Sequence, residues 1–132
     1  MEQKNIEIMD IVVSKMAEGT KLSKALRLVY TKRNVVIPFK KINTDAKLTD
    51  LNLSCRTTNT LLKAGMRTIN DVIEYHNNYG LATVKGFARH SCTELFEKIL
   101  DGAWANMDKT ERTYFLIDTI ERNTKYIRAE FR

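Results

Sequence analysis

Apolar residues recur at helical intervals along almost the whole of this chain, and glycine, proline and short polar clusters interrupt them where one helix must give way to the next. Ile6, Met9, Val13 and Met16 lie on one stripe behind Asn5, a residue suited to capping, and Glu18-Gly19-Thr20 breaks the pattern. A first helix with that stripe turned inward is predicted. Leu22, Ala25, Leu26 and Val29 repeat at i, i+3, i+4 and i+7, which predicts a second helix from about Lys21 to Tyr30. The β-branched run Val35-Val36-Ile37 then meets Pro38, the only proline, so this segment reads as a linker or a short strand.

Further along, Ser54 is placed to cap a helix reaching Ala64, with Gly65 as its left-handed stop. Thr68 and Asp71 have capping-box spacing and open another helix, with Ile69, Val72 and Ile73 facing inward, that ends at Asn77-Asn78. A turn from Tyr79 to Val84 and the pair Lys85-Gly86 lead into a helix from about Arg89 to Leu100. Its buried face is expected to be Cys92, Leu95, Phe96 and Ile99, and Gly102 is expected to close the unit. Asn106 or Asp108 can cap a last helix bearing Leu116, Ile120, Ile127 and Phe131. The fold class is therefore all-α. A compact helical domain over 44–102 is expected, with an N-terminal helical pair within 1–43 and a C-terminal packing or dimerisation helix in 103–132.

Composition adds a charge pattern. The 132 residues are 43% hydrophobic, enough for a core, and carry a formal net charge of +6, with a pI near 9.4. That balance favours a polyanionic partner. Residues 1–43 hold 9 Lys/Arg against 4 Asp/Glu, residues 44–102 hold 7 against 7, and residues 103–132 hold 6 against 5. Lys21, Lys24, Arg27, Lys32, Arg33, Lys40 and Lys41 follow one another without an intervening acid, so the positive footprint belongs mainly to the N-terminal part.

Other chemistry finds little footing. Cys55 and Cys92 are separated by 37 positions and flanked by no metal-ligand spacing, so both read as reduced, partly buried thiols. His76 and His90 have no partner at ligand spacing, and no metal or cofactor is expected. Trp104, Tyr114, Phe115 and Tyr126 are read as core or subunit-contact aromatics in preference to base-stacking ones. No phosphate-binding loop, dinucleotide fingerprint or nucleophile with an identifiable base occurs, so an enzyme is not expected. No apolar run approaches the roughly 18 residues of a membrane span, and a cytoplasmic location is expected.

What stands out is a gathering of short polar and basic residues at two helix starts, Ser54, Arg56, Asn59 and Thr60 at one and Ala88, Arg89, His90 and Ser91 at the other. Helix starts present free N–H groups and partial positive charge, so a phosphate gains hydrogen bonds there and an Arg adds a planar fork.

Three blocks in this region carry a resemblance. Leu51, Leu53, Ser54, Arg56, Thr57, Asn59 and Leu61 come first, Ile69, Asp71 and Val72 second, and Gly86, Phe87, Ala88, Arg89, His90, Ser91 and Glu94 third. In this order and spacing, from Leu48 to Leu100, the sequence resembles the C-terminal domain of the bacterial RNA polymerase alpha subunit. The match needs one inserted residue between Tyr79 and Val84. Ala88 stands where the family has a second hairpin glycine, and His90 where it has a lysine, so a weaker phosphate contact is expected there. The flanks 1–43 and 103–132 have no counterpart in the family domain, which points to a free-standing regulator of bacterial or phage type.

The resemblance implies a helical domain of helix-hairpin-helix character that binds the minor groove and phosphates of A/T-rich double-stranded DNA and contacts RNA polymerase or a transcription factor. It implies that Arg56 enters the groove, where it would read shape more than base identity. Asn59 would bond to backbone or base-edge acceptors, Thr60, Ala88, Arg89, His90 and Ser91 would lie along the phosphates, and Glu94 would orient neighbouring basic groups. Lys21, Lys24 and Arg27 are expected to add counterion release, and a homodimer is the expected assembly. The alternative is an adaptor that binds RNA polymerase or another protein without touching DNA; RNA binding is a third reading.

Overall fold

The computed structural model describes residues 1–132 and contains six α-helices and no strands. They are α1 (Gln3–Ala17), α2 (Leu22–Val29), α3 (Cys55–Lys63), α4 (Ile69–Asn78), α5 (Arg89–Ala105) and α6 (Lys109–Arg122), with short 3-10 turns between α2 and α3, between α4 and α5, and after α6. None is long and apolar enough to cross a membrane. The expected all-α class is what the protein adopts.

Local signals set most boundaries. Ser54 accepts the Thr57 N–H at the start of α3, and the reciprocal boxes Thr68–Asp71 and Asp108–Glu111 open α4 and α6. After α3 the backbone turns at Gly65, whose φ of +89° suits a residue without a Cβ.

The apolar stripe of α2 lies inward as expected, with Leu22, Ala25, Leu26 and Val29 all buried. The face of α1 is different. Asn5, Ile8 and Val12 are buried, while Ile6 and Val13 are 40% and 46% exposed. Two overlapping apolar stripes run along this helix, and packing against α2 and α6 selects the one centred on Ile8. Asn5 is not the cap. It lies inside the helix, where its amide donates to the Thr124 hydroxyl at 3.0 Å and its oxygen accepts from the same hydroxyl at 3.2 Å.

No strand forms over Val35–Ile37, although Val35 and Ile37 are buried. A side chain takes the place of a strand partner. Asn123, fully buried just beyond α6, accepts the Val36 N–H at 2.9 Å and donates to the Val36 carbonyl at 3.0 Å. Its amide also donates to the Thr119 carbonyl at 2.7 Å.

The third departure is the length of α5, which runs through Leu100 and Gly102 to Ala105 instead of closing there. Gly102 lies inside this helix and not at its end, and a Cβ there would make only an ordinary contact with the Leu51 side chain, at 3.8 Å. Leu95, Ile99 and Leu100 are buried on α5, and Cys92 and Phe96 only half so. The last helix stops at Arg122, and Ile127 and Phe131 pack from the irregular segment beyond it.

The buried apolar residues form one cluster drawn from every helix. Ser23 donates to Asp101 from both its N–H and its hydroxyl, at 2.9 and 2.6 Å, which fastens the start of α2 to the second half of α5. Trp104 lies under the Arg112 guanidinium and beside the fully buried Phe115, as core aromatics do, whereas Tyr114 is 61% exposed.

Candidate nucleic-acid interface

The tips of α3 and α5 are held together by one carboxylate. Glu94, in the second turn of α5, accepts the Ser54 N–H at 2.5 Å, the Ser54 hydroxyl at 3.1 Å and the Thr57 hydroxyl at 2.7 Å. Burial alone would push this carboxyl up. The hydrogen bonds from Thr57 and Ser54, helped by the charge of Lys98, outweigh it and set Glu94 below the ordinary value of 4.5. Glu94 therefore clamps the α3 cap, where it was expected to orient basic groups; it bonds no basic side chain.

This clamp places the two clusters side by side. Gly86, with φ of +83°, carries the backbone into α5 close enough to α3 that a Cβ there would meet the Thr60 methyl at 3.9 Å. Ala88, where the family has a glycine, has an ordinary extended conformation with φ of −87°. Asn52, with φ of +57°, is the only non-glycine residue in the left-handed region and turns the backbone towards the Ser54 cap.

On the outer side of the paired tips, Arg56 and Asn59 on α3 and Arg89 and His90 on α5 are all exposed. None of them is in an ion pair. Thr60 donates its hydroxyl to the Arg56 carbonyl at 2.8 Å, and Ser91 is buried. The first turn of α5 contains no acid, and Ala88 has no polar group with which to cap it. The leading N–H groups of α5 thus have no acceptor from within the protein, beside two basic side chains.

Lys21, Lys24 and Arg27 belong to a different element. They lie at and along α2, where Lys24 and Arg27 approach Glu97 of α5 at 3.7 and 2.5 Å. Arg33 does reach α5 close to its tip, although composition gave it no distinct role there. Its Nε donates to the Thr93 hydroxyl at 2.8 Å, and that hydroxyl donates to the Arg89 carbonyl at 3.1 Å. Contacts between residues 60 positions apart leave no trace in periodicity. Of the two thiols, Cys92 is half-buried and Cys55, at the first position of α3, is exposed and not partly buried as expected.

Residues 38–101, just under half of the protein, match the family described as the C-terminal domain of the alpha chain of bacterial RNA polymerase. No match was found among curated proteins or among solved structures. Within RNA polymerase that family is a DNA-binding domain and not a catalytic one. All three sequence blocks, the Glu94 clamp and both helix tips fall inside the matched segment, and residues 38–101 are a region like the C-terminal domain of the bacterial RNA polymerase alpha subunit.

Proposed function

We propose that this protein is a DNA-binding regulator of transcription whose paired α3 and α5 tips lie on the minor groove and flanking phosphates of A/T-rich duplex DNA. One observation carries the reading: Glu94 fixes the two tips together while Arg56, Asn59, Arg89 and His90 project from them with no acidic partner. In this arrangement Arg56 enters the groove, whose narrow form in A-tracts concentrates negative potential. Asn59 bonds to acceptors at the groove edge, and the uncapped start of α5 receives a phosphate through its free N–H groups, with Arg89 and His90 beside it.

The test is the binding of short A/T-rich and G/C-rich duplexes across a salt series by the wild type and Arg56→Ala. Preference for the A/T-rich duplex and a loss of about tenfold or more in Arg56→Ala are expected, since a groove contact is worth on the order of 1–3 kcal/mol. Equal binding by Arg56→Ala at every salt level would overturn the insertion of this side chain.

A further inference from the structure

The basic stretch from Lys21 to Lys41 divides when the protein folds. Lys24 and Arg27 share Glu97, and Lys41 lies 4.0 Å from Asp118, which also pairs with Arg122, so these cations are partly offset within the molecule. Lys32 and Arg33 meet no carboxylate. Lys32 instead places its ammonium 4.8 Å from the centre of the Tyr126 ring, and Lys125 places a second one 5.3 Å from the same ring. Lys125 has no acidic partner either. Although its slight cover opposes the change, the charges of Lys125 and Lys32 lower the Tyr126 phenol below its ordinary value. Two ammoniums on one aromatic ring repel each other, and the ring's quadrupole offsets only part of that.

This patch is tied to the α5 tip. Thr31 donates its N–H and its hydroxyl to the Tyr126 carbonyl at 2.7 and 3.1 Å, and two residues later Arg33 is bonded to Thr93 in the first turns of α5. Two peptide steps span at most about 7 Å. Lys32 and Lys125, without carboxylate partners, therefore lie within a short reach of Arg33, whose guanidinium is fastened to the first turns of α5 through Thr93. An acidic partner peptide would need only a few of these cations, whereas a group of this kind fits the spaced phosphates of a nucleic-acid backbone.

We propose that Lys32 and Lys125, gathered on Tyr126, form a second phosphate-backbone contact for duplex DNA, joined to the α5 tip by Arg33. This site rests on the reading that the tips bind DNA, and it moves the flanking footprint from α2 to the α2–linker corner and the turn after α6. Both elements lie outside the 38–101 segment.

The experiment is a salt series with a short A/T-rich duplex, comparing the wild type with Lys32→Ala/Lys125→Ala and with Lys15→Ala/Lys109→Ala. The second double variant removes the same charge at the opposite ends of α1 and α6. The slope of log affinity against log salt is expected to fall by about 1.8 in the first double variant, since each neutralised phosphate contributes about 0.9, and to stay near wild type in the second. Acetylation of the wild-type lysines with and without the duplex gives a readout free of any folding defect: Lys32 and Lys125 are expected to be protected. Unchanged slope and unchanged reactivity at these two lysines, with wild-type binding intact, overturn the second contact alone. Equal slopes in both double variants also overturn it. A wild type that binds no duplex overturns the reading on which it rests.

Discussion

Glu94 and Ser54 are 40 residues apart in sequence, and in the fold the carboxylate of one accepts both the N–H and the hydroxyl of the other. A helix cap is usually completed within its own first turn; here the α3 cap is completed by α5, so the spacing of the two tips is set by a charge-assisted bond.

Glu94→Gln is expected to destabilise the protein by about 1–2 kcal/mol near neutral pH, the range for hydrogen bonds to a partly screened charged group. The folded carboxyl titrates below the ordinary 4.5, so its contribution is complete above that value and is lost as pH falls through the folded pKa. Urea melts should therefore show a gap between wild type and Glu94→Gln at pH 7 that narrows as the pH falls below 4.5 and through the folded pKa. A gap of constant size over that range would contradict the clamp.

Asn123→Ala should be the most damaging polar substitution outside the interface. It leaves the Val36 N–H and carbonyl without partners against a fully buried side chain, and a loss of about 2–4 kcal/mol is expected in denaturant melts. Asn123→Asp retains an acceptor for the Val36 N–H but loses the donor to Val36 and Thr119, and should not restore stability.

Tyr30→Phe is expected to be neutral or stabilising. The Tyr30 side chain is 1% exposed and its hydroxyl has no hydrogen-bond partner, while burial raises its pKa far above the ordinary value of 10.0. Removing an unsatisfied buried hydroxyl relieves a desolvation cost of about 1 kcal/mol or more. A clear fall in melting temperature would reveal a partner for that hydroxyl.

Asn52→Gly should leave stability nearly unchanged, and Asn52→Val should lower it by about 1–2 kcal/mol, the cost of a Cβ-branched residue in the left-handed region. Because this turn leads to the Ser54 cap, Asn52→Val should also weaken duplex binding more than its loss of stability alone explains.

The parts of this fold that were legible in the sequence are those encoded within about one turn. Ser54 with Thr57, Thr68 with Asp71 and Asp108 with Glu111 act over three residues, and each opens a helix as its spacing says. The helix-tip clusters were legible for the same reason. What periodicity alone left open was the choice of partner. It could not choose between the two apolar stripes of α1, since both have helical spacing and only docking on α2 and α6 selects Ile8 and Val12. Nor could it assign Asn123 to Val36, Glu94 to Ser54 or Arg27 to Glu97, pairings made across 40 to 87 residues. The basic segment shows the limit most clearly. Read as a list of charges it is one footprint, and folding divides it between internal pairs and an outward face.

The unbroken run of α5 through Gly102 has a mechanical consequence. A helix of 17 residues is a rod about 25 Å long, and this one carries the proposed interface at its leading end and the fastenings to α2 along its trailing half. The flanking helices cannot swivel on a hinge between the two. A protein seated on them would ride at a constant heading to whatever the leading end grips, and bending that rod, for instance with a proline near its middle, would turn a fixed bracket into a loose tether.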